Sequence, residues 1–223
     1  MIARTIYSFC LVCCIIGSSA CTRAVSVQEL ASWVRNPQNG LVDSVESGSL
    51  VLTMQYLPVE FLNAVKAVRV RSQPRQDNKS DDGKTRDELA VFELTIALRN
   101  QDGHAGQDGQ EVSTQDPVFA GVSSLESFTE RVRTLAFTIQ DHVRLFIDGR
   151  ERECVSASLQ QDMGLRAKRA VRLIFKASEA SLAEAQNVAI EWSDIEYGTG
   201  RHSFQCHTGN VRRMPKANTE LSM

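Results

Sequence analysis

Residues 89–99 read LAVFELTIALR. Ala90, Phe92, Leu94, Ile96 and Leu98 fall on one side of an extended chain, opposed by Glu93, Thr95 and Arg99. Side chains alternate between the two faces of a strand, so this stretch predicts a strand with one face in a core. It decides the fold because the same period recurs on either side of it. Upstream, Leu50, Leu52, Met54 and Tyr56 share a face over residues 49–57. Downstream, residues 135–140, 143–147, 152–159, 170–177, 188–194 and 202–206 read as further short strands. Asp148 and Gly149 supply a hairpin signal, and Tyr197, Gly198, Thr199 and Gly200 join the last two strands. Consecutive short strands with glycine turns favour antiparallel pairing. The expected class is α+β, mainly antiparallel β, with a β-sandwich-like C-terminal region and a few short helices.

The helices show a different period. Ser26 and Glu29 have the spacing of a capping box, and Val27, Leu30, Ala31 and Val34 then share one helical face. Asn36, Pro37, Asn39 and Gly40 end that helix. Pro58 stands where a second helix can start, followed by Phe61, Leu62, Val65 and Val68 at helical spacing. Leu125, Phe128 and Val132 predict a third over residues 124–134. Residues 73–88 are polar and carry charges of both signs, and residues 100–117 hold Gly103, Gly106 and Gly109 with few apolar side chains. Both are expected to be mobile loops. Residues 26–207 form one globular domain on this reading, and the basic residues 208–223 form a disordered tail.

The first twenty residues have another composition. Arg4 precedes an apolar run over residues 6–16, and Gly17, Ser18, Ser19 and Ala20 are the small residues expected before a cleavage site. Eleven residues are too few to span a bilayer as a helix, which takes about 20. Residues 1–20 therefore read as a signal peptide. Ser18, Ser19, Ala20 and Cys21 resemble the lipobox of bacterial lipoproteins, with Ser18 where a large aliphatic residue is usual. The resemblance implies lipidation of Cys21 by acyl chains of the palmitate type, with residues 21–25 as the anchored linker. Ordinary cleavage after Ala20 is the alternative. Thr22 and Arg23 follow, so neither an Asp at the second position nor an acidic run redirects the protein. The resemblance then implies the periplasmic face of the outer membrane.

A further resemblance covers the C-terminal third. Arg131, Val132 and Arg133 run into Leu135, Ala136 and Phe137. Val143, Arg144 and Leu145 precede Asp148 and Gly149. Then come Cys154, the apolar stretch from Val171 to Phe175, and the turn from Tyr197 to Gly200. This pattern resembles a group of Bacteroidota envelope lipoproteins to which no activity is assigned. It bears on location and fold, and implies no mechanism.

Chemistry is sparse. A net charge of −2 gives no electrostatic ground for binding nucleic acid. Gly83, Lys84 and Thr85 end like a phosphate-binding loop, but Asn78 stands where its first glycine is required. Residues 121–125 fail the nucleophile-elbow pattern at Leu125. No residue set qualifies as catalytic, and no cofactor is implied. His202, Cys206 and His207 are the weak candidates for a metal, with Cys154 or His142 as a fourth ligand. Asp102, Asp108 and Glu111 are calcium candidates in a glycine-rich loop without the required spacing. Trp192, Tyr197 and Tyr56 fit core or hairpin packing better than a sugar-binding surface. Outside the signal and Cys21, two cysteines remain. Cys154 and Cys206 admit a disulfide in an oxidising compartment, or two buried thiols on separate strands.

Three functions remain open. The first is a lipid-anchored envelope module, interacting or structural, held to the membrane through Cys21 and meeting a protein or glycan partner. The second is an envelope hydrolase or glycan-processing enzyme. The third is a metal-dependent binding module.

Overall fold

A computed structural model describes residues 24–71, 88–99, 115–160 and 166–218. Residues 1–23, and with them the expected signal peptide and Cys21, lie outside the described residues, as do nearly all of the two polar loops. No described helix is long and apolar enough to cross a membrane.

Nine strands form two antiparallel sheets. The order of elements is α1 (Val27–Arg35), β1 (Val42–Ser47), β2 (Leu50–Leu57), α2 (Val59–Arg71), β3 (Leu89–Leu98) and α3 (Leu125–Arg133). Then follow β4 (Val143–Ile147), β5 (Arg150–Arg152), β6 (Cys154–Leu159), β7 (Lys168–Lys176), α4 (Glu179–Glu184), β8 (Val188–Asp194) and β9 (Gly200–Cys206). One sheet has the order β1-β2-β3-β7-β6 and the other β5-β4-β8-β9. The two-sheet arrangement therefore draws on the N-terminal half as well as the C-terminal region.

Strand alternation builds the core. Met54, Leu94 and Val171 align across β2, β3 and β7, as do Tyr56, Phe92 and Leu173 in the next row. The second sheet contributes Val143, Leu145, Ile190, Trp192 and Phe204 to the same buried cluster. Phe92 meets Tyr56 at 5.0 Å between ring centroids and Phe175 edge-on at 5.7 Å. Burying aromatic rings against branched side chains supplies most of the drive to fold.

The helices start as the sequence expects. Ser26 and Glu29 make both bonds of the capping box on α1. The carboxylate of Glu179 accepts from the Val59 amide at the start of α2 and from the Tyr56 hydroxyl. Burial, and then this carboxylate, raise the Tyr56 phenol above its ordinary range.

Four readings of the sequence are corrected. Residues 135–140 are helical, with a π turn at Thr134–Thr138 and a 3₁₀ turn at Ile139–His142 continuing α3. Leu135 and Ile139 are buried four residues apart while Phe137 is 72% exposed, so the period is that of a helix. Residues 152–159 are two strands, because the chain changes sheet at Glu153: β5 pairs with β4, and β6 pairs with β7. β1 goes unannounced, since VDSVES carries no apolar alternation. Residues 208–218 are placed against the domain and are not a disordered tail. Thr208 donates to the Leu182 carbonyl at 2.5 Å, Met214 is buried, and Ala217 forms a parallel bridge with Val25. Two buried contacts and a backbone bridge outweigh the basic composition of this segment. Residues 219–223 lie outside the described residues.

Two local features close the ends of the sandwich. Gly40 has φ +72°, and a Cβ there would stand 2.8 Å from Cβ of His207, whose amide donates to the Gly40 carbonyl at 2.7 Å. Only glycine fits both the left-handed backbone and the close approach. At the other place Arg169 occupies an inward position opposite Ile96. Its guanidinium meets Asp116, whose side chain is 1% exposed, with bonds of 2.5 and 3.0 Å. Amides of Val118 and Arg166 also donate to Asp116. Burial raises the Asp116 carboxyl, but the bonds from Arg169 and the two amides outweigh it and hold the group below its ordinary value of 3.8.

Gly40→Ala is expected to lose about 2–4 kcal/mol in urea unfolding, combining left-handed strain with overpacking. Gly121→Ala, with φ +65° but no atom within 4 Å of its new Cβ, is expected to lose only about 1–2 kcal/mol. Asp116→Asn is expected to cost about 3 kcal/mol at pH 7, since it leaves the buried Arg169 without its counter-charge. A depressed carboxyl stabilises above its unfolded value and ceases to do so as pH falls. The deficit of Asp116→Asn should therefore shrink below pH 3.8 when unfolding is followed across pH.

Candidate functional site

Within the described residues the polar groups of the interior hold turns. Asp194 accepts from the amides of Glu196, Tyr197 and Thr199 at 3.0, 3.0 and 2.8 Å. The Thr199 hydroxyl donates to Asp194 at 2.5 Å and meets Nε2 of His202 at 2.7 Å. Since the single Thr199 proton goes to Asp194, His202 carries its proton on Nε2 and donates to Thr199. The order Asp–Thr–His puts the hydroxyl between acid and imidazole. It leaves no basic nitrogen facing the hydroxyl, so the chain fixes the turn and does not prepare a nucleophile. Arg131, 8% exposed, donates to the carbonyls of Val118, Ala120 and Glu196 and lies 4.4 Å above the Tyr197 ring. It ties α3 to two turns. Trp192 and Tyr56 are core residues, as packing arguments suggested.

The metal candidates do not converge. His202 and Cys206 do share the inward face of β9, but Phe204 stands between them and they pair with Trp192 and Val188 respectively. Four residues of strand separate their backbones by about 13 Å, beyond the reach of one ion with ligands at about 2 Å. His207 is exposed past the strand end. Among the described residues no three of His, Cys, Asp or Glu form a metal-binding group. Asp102, Asp108 and Glu111 lie outside the described residues.

Cys154 and Cys206 are free thiols. Cys154 stands on β6 opposite Phe175, and Cys206 on β9 in the other sheet. Burial, then the charge of Asp43, pushes Cys206 up to about 12. Burial also raises the Cys154 thiol, against lowering contributions from the backbone at Ser156 and Ile174 and from Arg144. Neither is poised as a thiolate. Cys154 borders a polar surface groove beside the Arg144–Glu151 ion pair.

The open site is on the outer face of the five-stranded sheet. Val42, Gln55, Glu93, Arg172 and Ser158 align in one outward row across all five strands. Ser44, Thr53, Thr95 and Ala170 form the next, with the Ser44 and Thr53 hydroxyls 2.9 Å apart. Beside these polar rows the outward side chains turn apolar: Val91 pairs with Ile174, and Leu89 follows. α2 lies alongside. Its Phe61 and Ala64 are buried, while Leu62, Asn63, Val65 and Lys66 border a cleft of about 390 Å³ floored by Leu89, Val91 and Ile174. Val59 closes one side and Arg172 another.

Arg172 links cleft and polar row. Its guanidinium approaches the Glu93 carboxylate at 3.4 Å, a loose contact. Its Nε is buried and has no hydrogen-bond partner. Nε of Arg131 and the hydroxyl of Tyr197 share this state in the interior, so the missing bond is a cost of burial and does not by itself mark a ligand. Sequence reasoning assigned nothing here. The signal was present: Leu89, Val91 and Ile174 are apolar at positions whose strand neighbours Glu93 and Arg172 face outward. A strand apolar on both faces at one end calls for a cover, and among the described residues Leu62 and Val65 of α2 provide part of it.

The chain was compared with protein-family models, curated proteins and solved structures, and none matches.

Brief alkylation of the native chain followed by peptide mapping is expected to label Cys154 slowly and leave Cys206 unlabelled. Both should react after unfolding in urea. A linked Cys154–Cys206 peptide in the non-reduced map would contradict their placement on separate sheets.

Proposed function

We propose that this chain is a lipid-anchored module of the bacterial envelope that binds a ligand in the cleft between α2 and the five-stranded sheet. The observation that carries the binding half is the cleft itself: an apolar floor open beside the cationic side chains of Arg172 and Lys66. Clefts of a few hundred Å³ with an apolar lining and a few placed polar groups are the usual form of small-ligand sites. The anchoring half rests on the apolar run over residues 6–16, the small residues after it, and Cys21. It is in line with the resemblance of residues 131–206 to Bacteroidota envelope lipoproteins, and on this reading the domain faces the periplasm from the outer membrane. A single acyl chain holds a protein to a bilayer only marginally, and two or more hold it stably.

An intact mass of the protein extracted from its own membranes tests the anchor. The expected chain begins at Cys21 and carries about three acyl groups. An unmodified chain beginning at Cys21, or an uncleaved chain beginning at Met1, would remove the anchor from the proposal.

A further inference from the structure

Resting on the cleft as the binding site, we infer that its ligand is a free acyl carboxylate of about ten carbons. The acyl chain lies on Val91 and Ile174 under α2, and the carboxylate faces Arg172 and Lys66. Three observations define it. The first is the lining: outside a polar rim of Arg172, Lys66 and Asn63 the cleft is walled by Val59, Leu62, Val65, Leu89, Val91 and Ile174, which favour a hydrocarbon over water. The second is charge. Arg172 and Lys66 bring two positive charges to the rim, and Glu93 offsets one of them through its 3.4 Å contact with Arg172. Among the described residues the rim thus carries two cations against one carboxylate, a balance that favours an anionic ligand. The third is the Arg172 guanidinium itself, which is 38% exposed and holds Glu93 by one loose contact of 3.4 Å, leaving N–H donors for an acceptor oxygen. A carboxylate supplies that oxygen and the counter-charge together, and charge-assisted bonds to guanidinium are among the stronger ones.

Size sets the length. A cleft of about 390 Å³ stands at the small end of the ~300–1,000 Å³ usual for ligand sites, which suits a medium-length acyl chain of about ten carbons. A hydrocarbon much longer would leave the cleft, and a much shorter one would leave the floor wet.

Equilibrium dialysis of the full-length chain against decanoate, decyltrimethylammonium and dihexanoylphosphatidylglycerol tests the assignment. Decanoate should bind saturably to one site, at least tenfold more tightly than the cationic amphiphile. Arg172→Gln and, separately, Lys66→Gln should each weaken decanoate about tenfold. Leu62→Trp, which places a larger side chain on a half-exposed wall, should abolish binding while circular dichroism stays unchanged. Equal binding of decanoate and decyltrimethylammonium, both lost in Leu62→Trp, would overturn the carboxylate and leave the cleft as a binding site. Displacement of decanoate by the short-chain lipid at equal concentration would overturn the free acid in favour of a lipid headgroup. Saturable binding of none of the three, or binding indifferent to Leu62→Trp, would overturn both the ligand and the cleft.

Discussion

Two sheets that share one core must make every inward position apolar or pair it internally. The rest of the architecture follows from this constraint. β2, β3 and β7 meet it with Met54, Phe92, Leu94, Val171 and Phe175, and the second sheet with Val143, Leu145, Ile190 and Phe204. Where a polar group does enter, most of its bonds are made nearby, with Nε of Arg131 and the hydroxyl of Tyr197 as the exceptions among the described interior residues. Arg169 is neutralised by Asp116. Asp194 takes three amides and a hydroxyl. Arg131 takes three carbonyls. Leaving any of these unpaired in a low-dielectric interior would cost more than a typical surface contact returns. Polar residues inside the sandwich thus work as fasteners for turns.

The same constraint explains what the sequence shows and what it hides. Strands with one buried face are legible, as β3 and β8 are, because one face must alternate. β1 is hidden because Val42 and Val45 alone do not make a period. Residues 135–140 mislead because Leu135, Phe137 and Ile139 satisfy a two-residue alternation, while Leu135 and Ile139 also sit one helical turn apart. Local spacing does not arbitrate between these; burial against β6 and β8 does. The change of sheet at Glu153 is a tertiary event with no local marker. The tail beyond Cys206 was misjudged from composition, since its anchoring contacts with Leu182 and Val25 come from residues far away in the chain.

The candidate site was the least legible part. Motif search looks for reactive side chains at set spacings, and here it led to His202 and Cys206, which share a face and are held apart by the rise of the strand. The cleft has no reactive residue. Its trace is an apolar pair, Val91 and Ile174, on the outward face of two neighbouring strands, with the Glu93–Arg172 pair next in register. Seeing this as a site requires the register of β3 against β7 and the position of α2. Neither follows from either segment alone.

The bridge between Val25 and Ala217 also bears on how the domain carries mechanical load. The amide of Val25 donates to the Lys216 carbonyl at 2.9 Å, and the Asn218 amide donates to the Val25 carbonyl at 2.7 Å. Chain entry and chain exit are therefore clamped side by side. A pull applied at residue 24 meets this pair of bonds first and the capped start of α1 next, before any strand of either sheet is strained. Loss of this pair of bonds would free residues 24–26 and 216–218 without breaking a strand pairing of either sheet.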